Sequence, residues 1–196
     1  MVIEEKLLSD FGAKKNKYLK GTFLFREGEL AKNYYQLKTG EVAMVNFNEK
    51  GDEFVQGIFH AGDSFGEPPL FGNFPYPAAA SCYTDVMLWS LSRDRFIELL
   101  KSNFDLHFHF TSLLSTRLMY KATMMREIAT EKPEHRILRI LNFYKNPTKA
   151  EKETKIDLTR QQIANLTGLR VETVIRSMKK LAEEDIICIE RGKVFI

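Results

Sequence analysis

The chain has 196 residues, 44% of them apolar, enough to bury one large core or two small ones in an ordinary soluble composition. No run of about 18 apolar residues is present to span a bilayer, the opening MVIEEKLLSD lacks the layout of a signal peptide, and two cysteines are too few for a disulfide framework or a four-thiolate iron–sulfur cluster. A cytoplasmic protein is expected, with Cys82 and Cys188 as small buried apolar residues. The net charge of +3 hides an asymmetry: residues 132–196 hold 14 Lys or Arg against 9 Asp or Glu, or +5, while residues 1–131 hold 15 against 17, or −2. The C-terminal third therefore has the electrostatic footprint suited to phosphate.

Within the first 17 residues or so, Ile3, Leu7, Leu8 and Phe11 recur at helical spacing and predict a small helix packed on the adjoining domain. From Tyr18 to Leu91 the texture becomes that of strands. Glycines recur at 28, 40, 51 and 62, with the β-rich segments FLF, YYQL, VAMVNF, FVQGIF and VMLWSL among them. Short strands with turn signals at that interval predict a sandwich or barrel, and residues 48–53 form a hairpin tip.

After Arg93 the period is helical again. Phe96, Leu99 and Leu100 mark a short helix, and a longer one runs from about Phe104 to Ala129, roughly 39 Å at 1.5 Å per residue. Two apolar stripes run along it, Phe110, Leu113, Tyr120 and Met124 on one side and Leu114, Leu118, Met125 and Ile128 on the other. One stripe can cover the barrel while the other meets a second copy of the chain; Phe110, Leu114, Leu118 and Met125 are the candidate dimer-helix residues. His107 and His109 are two apart on this helix and point to different faces, so they cannot chelate one ion together. No metal site is expected. His60 and His135 have no motif around them, and heme ligation by a single His stays open.

Glu131, Lys132 and Pro133 end that helix and start another, because Pro disfavours a helical residue before it and fits a first turn. The next helix, Glu134 to Tyr144, has Ile137, Leu138, Ile140, Leu141 and Tyr144 as its core side. A polar loop over residues 146–155 and a short strand from Ile156 to Leu158 come next.

Thr159 and Gln162 then form a capping box, so a helix starts at Arg160. Ile163, Ala164 and Leu166 are its apolar side, and Thr167, Gly168 and Leu169 make a turn at which a left-handed glycine ends it. A second helix runs from about Arg170 to Glu184, with Val174, Met178 and Leu181 buried and Glu172, Thr173, Arg176, Ser177 and Lys180 outside. Two helices about a short glycine turn are a helix-turn-helix, whose second helix enters the major groove. Glu172 can accept from cytosine N4 and Arg176 can fork onto guanine O6 and N7, with Thr173 as a third base-reading candidate. Thr159, Arg160, Arg170 and Lys180 are candidates for phosphate. The competing explanation of Glu172 and Arg176 is an exposed i,i+4 ion pair worth roughly 0.3–0.5 kcal/mol. ICIE, RG and KVFI close the chain as strand, turn and strand, which makes the unit a winged helix with its tip near Arg191 and Gly192.

The segments LTRQ, TGL, ETV with Arg176, and EEDII resemble the DNA-binding motif of the Crp/Fnr regulators. VET followed by an Arg is nearer the fumarate-nitrate branch, where a Ser precedes that Arg; here Ile175 takes its place, and Arg170 stands where the family often has a Ser or Thr cap. KGTFLFREGE and TGEVAMV resemble the first turns and strands of the family's cyclic-nucleotide-binding sensor, and GDSFGEPPLFGNFPYPAAA resembles its phosphate cassette. Gly66 and Glu67 match the positions that approach the ribose, whereas Pro77 and Ala78 occupy the place of the family Arg that pairs with the cyclic phosphate. A buried cyclic phosphate needs a fixed cation or several donors, and Pro77 supplies neither. The resemblance thus implies an effector pocket of Phe65, Gly66, Glu67, Leu70, Pro77 and Ala78, suited to a more apolar ligand or closed by its own side chains, and cyclic AMP is not expected to be the effector.

The fold implied is α+β: a cyclic-nucleotide-binding-like β-barrel of jelly-roll type over residues 1–103, a dimerisation helix over 104–131 and a winged helix-turn-helix over 132–196. The function implied is that of a homodimeric, sequence-specific transcription regulator of double-stranded DNA under an unidentified small-molecule effector, with RNA polymerase a candidate partner. Two rivals remain. One is a cupin-like enzyme on the barrel, against which stands the lack of clustered metal ligands or of a nucleophile beside a base. The other is a ligand-binding module whose helix-turn-helix makes protein contacts.

Overall fold

The computed structural model of the protein describes residues 2–145 and 154–196. Most of the polar loop expected over 146–155 lies outside the described residues. The chain divides into two compact units, Met1–Arg117 and Leu118–Ile196. The long helix α4, Phe104–Thr130, contributes its first half to one unit and its second half to the other.

In the first unit, α1 is Glu5–Asp10 and stops short of the expected length, because Gly12 at φ +80° turns the chain out of the helix. Residues 14–18 are a strand instead. This strand, β1 (Lys14–Tyr18), pairs antiparallel with β8 (Val86–Ser92), Lys14 opposite Ser90 and Tyr18 opposite Val86. Its sequence KKNKY has no apolar alternation to betray it. It lies at a sheet edge, where lysines deter pairing with foreign strands. The rest of this four-stranded sheet is β3 (Asn33–Thr39) and the two-residue β6 (Ser64–Phe65), in the order β1-β8-β3-β6.

The second four-stranded sheet has the order β2-β7-β4-β5, from β2 (Phe23–Phe25), β7 (Ala79–Cys82), β4 (Val42–Phe47) and β5 (Glu53–Phe59). Gly28, Gly40, Gly51 and Gly62 fall at turns between strands, with φ from +82° to +97°. The two sheets share one core: Phe25, Met44 and Ala80 from one meet Tyr35, Leu37, Phe65 and Leu88 from the other. Burial in that core pushes the Cys82 thiol up to about 11.

Side chains alternate along β3, so Tyr35 and Leu37 enter the barrel while Tyr34 joins a second core. That core gathers Ile3, Leu8, Trp89, Leu91 and Phe110 with Phe96, Leu99 and Leu100 of α3 (Arg93–Ser102). Gln36 ties the N-terminal segment to it: its Nε2 donates to the Ile3 carbonyl at 2.8 Å, and its Oε1 accepts from the Ile3 amide at 2.8 Å and the Tyr34 hydroxyl at 2.7 Å. Trp89 is almost wholly buried, with Lys15 Nζ 4.5 Å from its ring centroid.

The second unit is built on α5 (Pro133–Phe143), which has Pro in its first turn and Ile137, Ile140 and Leu141 buried. Tyr120 of α4 stacks on Phe143 at 3.9 Å, and the buried Glu127 carboxylate accepts from Arg139 at 3.2 Å and Arg126 at 3.4 Å. A three-stranded antiparallel sheet of order β10-β11-β9 completes it, from β10 (Cys188–Glu190), β11 (Lys193–Phe195) and β9 (Lys155–Ile156). Cys188 is half-exposed on that narrow sheet, not buried as the sequence suggested.

Candidate nucleic-acid interface and barrel site

The helix-turn-helix is α6 (Arg160–Thr167) and α7 (Val171–Glu183). Thr159 Oγ1 accepts from the Gln162 amide at 3.1 Å while Gln162 Oε1 accepts from the Thr159 amide at 2.8 Å, so both members of the capping box are engaged. Gly168 closes α6 in the left-handed region at φ +67°, and the Leu169 amide returns to the Ala164 carbonyl at 3.1 Å. Those contacts fix the turn from which α7 departs.

Arg170 provides no side-chain cap to α7; its carbonyl takes the Val174 amide at 3.0 Å, and the helix begins at Val171. Val174, Met178 and Leu181 are buried as their spacing predicts. Ser177 is buried as well, where the sequence had placed it outside: its hydroxyl donates to Glu134 Oε1 at 3.4 Å, a partner on α5 that satisfies it away from water. The Glu134 carboxyl is held below its usual range, first by its own backbone amide and then by Lys180 and Ser177.

Glu172 and Arg176 are exposed one turn apart, Thr173 is half-exposed, and no ion pair joins Glu172 to Arg176 among the described residues. The four phosphate candidates differ in what already occupies them. Arg170 is exposed. The Thr159 hydroxyl serves the cap. Lys180 Nζ lies 3.8 Å from Glu134, and Arg160, partly desolvated so that its pKa falls, donates to the Gly192 carbonyl at 3.4 Å. That last contact braces the wing, whose two-residue tip has both Arg191 (φ +47°) and Gly192 (φ +77°) in the left-handed region that a tight hairpin needs.

In the barrel, Glu67 is fully buried, and both its oxygens accept from Arg117 Nη1, at 3.1 and 3.0 Å. Arg117 Nη2 donates to the Ser64 carbonyl at 2.7 Å, and the guanidinium lies 5.2 Å from the Phe59 ring. Beside this pair the interior is filled by rings: Phe25 stacks on Tyr76 with centroids 3.6 Å apart, and Tyr35 on Phe65 at 5.6 Å. Gly66, at φ +74°, is pressed under them; a Cβ there would sit 3.1 Å from Phe25 and 3.2 Å from Tyr76. Burial raises the Tyr76 phenol far above its ordinary range.

Of the six expected pocket residues, Phe65, Gly66, Glu67 and Ala78 gather around this interior. Leu70, on the one-turn helix α2 (Pro68–Gly72), packs in the other core with Tyr34 and Phe96, because it faces away from the barrel. Pro77 is exposed, its carbonyl taking Asn46 Nδ2 at 2.8 Å. The sequence reading missed Arg117, Phe25 and Phe59. Arg117 had a usable signal: it lies seven residues beyond Phe110, two turns on, and so shares the helix face that meets the barrel.

Residues 15–103 match the cyclic nucleotide-binding domain, and residues 135–196 match the Crp-like helix-turn-helix domain. The chain belongs to the Crp/Fnr family of transcription regulators. Among curated Crp/Fnr relatives, the cAMP-activated global transcriptional regulator CRP of Pasteurella multocida is 29% identical over 185 residues, covering 92% of this chain and 88% of that protein. The fumarate and nitrate reduction regulatory protein of Yersinia pestis is 24% identical over 184 residues, covering 92% and 73%. The solved structure of the c-di-GMP responsive global regulator CLP of Xanthomonas campestris shares the fold at a TM-score of 0.76 with 22% identity, covering 97% of this chain and 98% of that one. FixK2 of Bradyrhizobium japonicum gives 0.78 at 19% identity, covering 93% and 91%.

Proposed function

We propose that the chain acts as a homodimer in the cytoplasm, inserting α7 of each copy into the major groove of double-stranded DNA to regulate transcription, as a binding protein and not an enzyme. The observation that carries this reading is the exposure of Glu172 and Arg176 one turn apart on a helix whose entry angle is fixed by the capping box and Gly168. Neither is used within the described fold, and each has a matching base edge. RNA polymerase is the further partner that such a regulator addresses. The rival in which the helix-turn-helix binds protein leaves the exposure of Glu172 and Arg176, each with a matching base edge, without a role.

The dimer rests on α4. Phe104, Phe108, Leu118 and Met125 are exposed, with Thr111, Ser115, Ala122 and Ala129 in the intervening places. These eight alternate at spacings of four and three without a charge among them, the 3.5-residue period of a coiled-coil seam. Leu114 and Ile128 flank it half-buried. Phe110 is not available to a partner, since it is buried in the first unit's core. The proposed seam keeps Leu118 and Met125 of the expected set, and takes Phe104 and Phe108 in place of the buried Phe110.

As for the effector, the Arg117–Glu67 pair and the ring stack support a barrel that accepts no cyclic AMP, and they favour an interior closed by its own side chains over an open apolar pocket. The test of the DNA reading is selection of bound sites from random duplexes. Arg176→Ala removes a bidentate contact worth about 1–3 kcal/mol and is expected to relax one base of each half-site, with Glu172→Ala relaxing a neighbour. An unchanged consensus for Arg176→Ala would overturn the assignment of α7.

A further inference from the structure

Ile175 is 53% exposed in the first half of α7, between Glu172 and Arg176. At about 100° per residue, Ile175, Glu172, Arg176 and Thr173 succeed one another round an arc of roughly 160°, opposite the buried Val174, Met178 and Leu181. A large β-branched apolar side chain on that arc contributes nothing to the core, and in a strand-forming residue type it favours the helix less than Ala or Lys would. Beside it runs a shallow groove to which Met178, Ala182 and Ile189 contribute apolar surface and Arg160, Lys179 and Glu183 a charged rim.

The chemistry of a base edge narrows what such a side chain can recognise. Adenine, guanine and cytosine offer the major groove only donors and acceptors, which an isoleucine leaves unpaired; thymine alone adds a methyl group, at C5. We infer that Ile175 reads a thymine methyl in each half-site, next to the bases met by Glu172 and Arg176. This rests on α7 being the recognition helix. Discrimination comes from both directions: the C5 methyl of thymine is buried against Ile175, while a cytosine offers only hydrogen at C5 and its neighbouring N4 amino group would be stripped of water with no acceptor.

The experiment uses the full-length protein and its selected duplex, with deoxyuridine placed in turn at each thymine of the half-site, which removes the methyl and leaves the base pairing. At one thymine, affinity should fall about three- to fivefold, the value of burying one methyl-sized group. Ile175→Ser should abolish that difference and flatten the selected base at that position, with circular dichroism showing an unaltered helix content. Uracil and thymine bound equally at every position by the unaltered protein, or a half-site with no selected thymine, would overturn the inference. The two levels separate cleanly: if Arg176→Ala changes the consensus while uracil is neutral, only the role of Ile175 fails; if Arg176→Ala changes nothing, the reading of α7 itself fails.

Discussion

Arg117 lies on the barrel-facing side of α4, where a charge must find a partner or remain in water, and the buried Glu67 carboxylate is that partner. The pair is asymmetric: Glu67 has no exposed surface, while Arg117 keeps about a quarter of its side chain in solvent, 26%. Removing the cation therefore leaves an anion stranded, and the cost belongs at the low end of what breaking a buried pair costs. Arg117→Met is expected to destabilise the first unit by about 3 kcal/mol in urea unfolding, and adding Glu67→Gln should recover a good part of it, because a neutral amide loses less on burial. A single-variant loss under about 1 kcal/mol would show that the carboxylate is satisfied some other way. The pairing itself was within reach of the sequence only by half. Spacing puts Arg117 in phase with Phe110, but nothing local says which of the acidic residues 50 or more positions earlier comes to meet it. Ser177 shows the same limit, since a hydroxyl in a helix takes its side of the fold from a partner on another element, here Glu134.

Elements whose identity is written in contiguous residues were legible, and elements defined by their neighbours were not. The capping box, Gly168 and the Val174–Met178–Leu181 stripe are local devices, and α6 and α7 lie where those devices put them. The strands β1, β6 and β7 were missed, because KKNKY has no apolar alternation, SF is two residues long, and AASC is small enough to read as loop. On α4 the sequence resolved two apolar stripes without resolving which of their members reach the barrel. The core decides that: Phe110 is enclosed, while Leu118 is 69% exposed. The two positions should respond differently to the same change. Leu118→Asp is expected to convert dimer to monomer in sedimentation with the fold intact, since an unpaired charge in an apolar seam costs several kcal/mol. Phe110→Asp should unfold the first unit. A Leu118→Asp protein that sediments as a dimer would move the seam off the Phe104–Met125 face.

At the scale of the molecule, charge and packing assign separate duties to the two halves. Residues 132–196 hold the surplus of positive charge, and the barrel holds its anionic Glu67 against its own Arg117. A cyclic phosphate entering the barrel would have to displace the ring stack around Phe25 and Tyr76, and it would find Pro77 turned to the surface with no donor to offer. Calorimetric titration with cyclic AMP or cyclic GMP is expected to give a dissociation constant of about a millimolar or weaker, and a value at or below about ten micromolar for either would overturn this.

The placement of Trp89 has a practical corollary in spectroscopy. It is the chain's single tryptophan, and it is buried within the unit Met1–Arg117. Its fluorescence will track the melting of that unit and stay blind to the other, whereas far-ultraviolet dichroism sums the helices of both. Denaturation curves from the two signals will coincide only if the units unfold as one, so a single unlabelled sample reports whether the sensor and the DNA-reading unit share their stability or keep it apart.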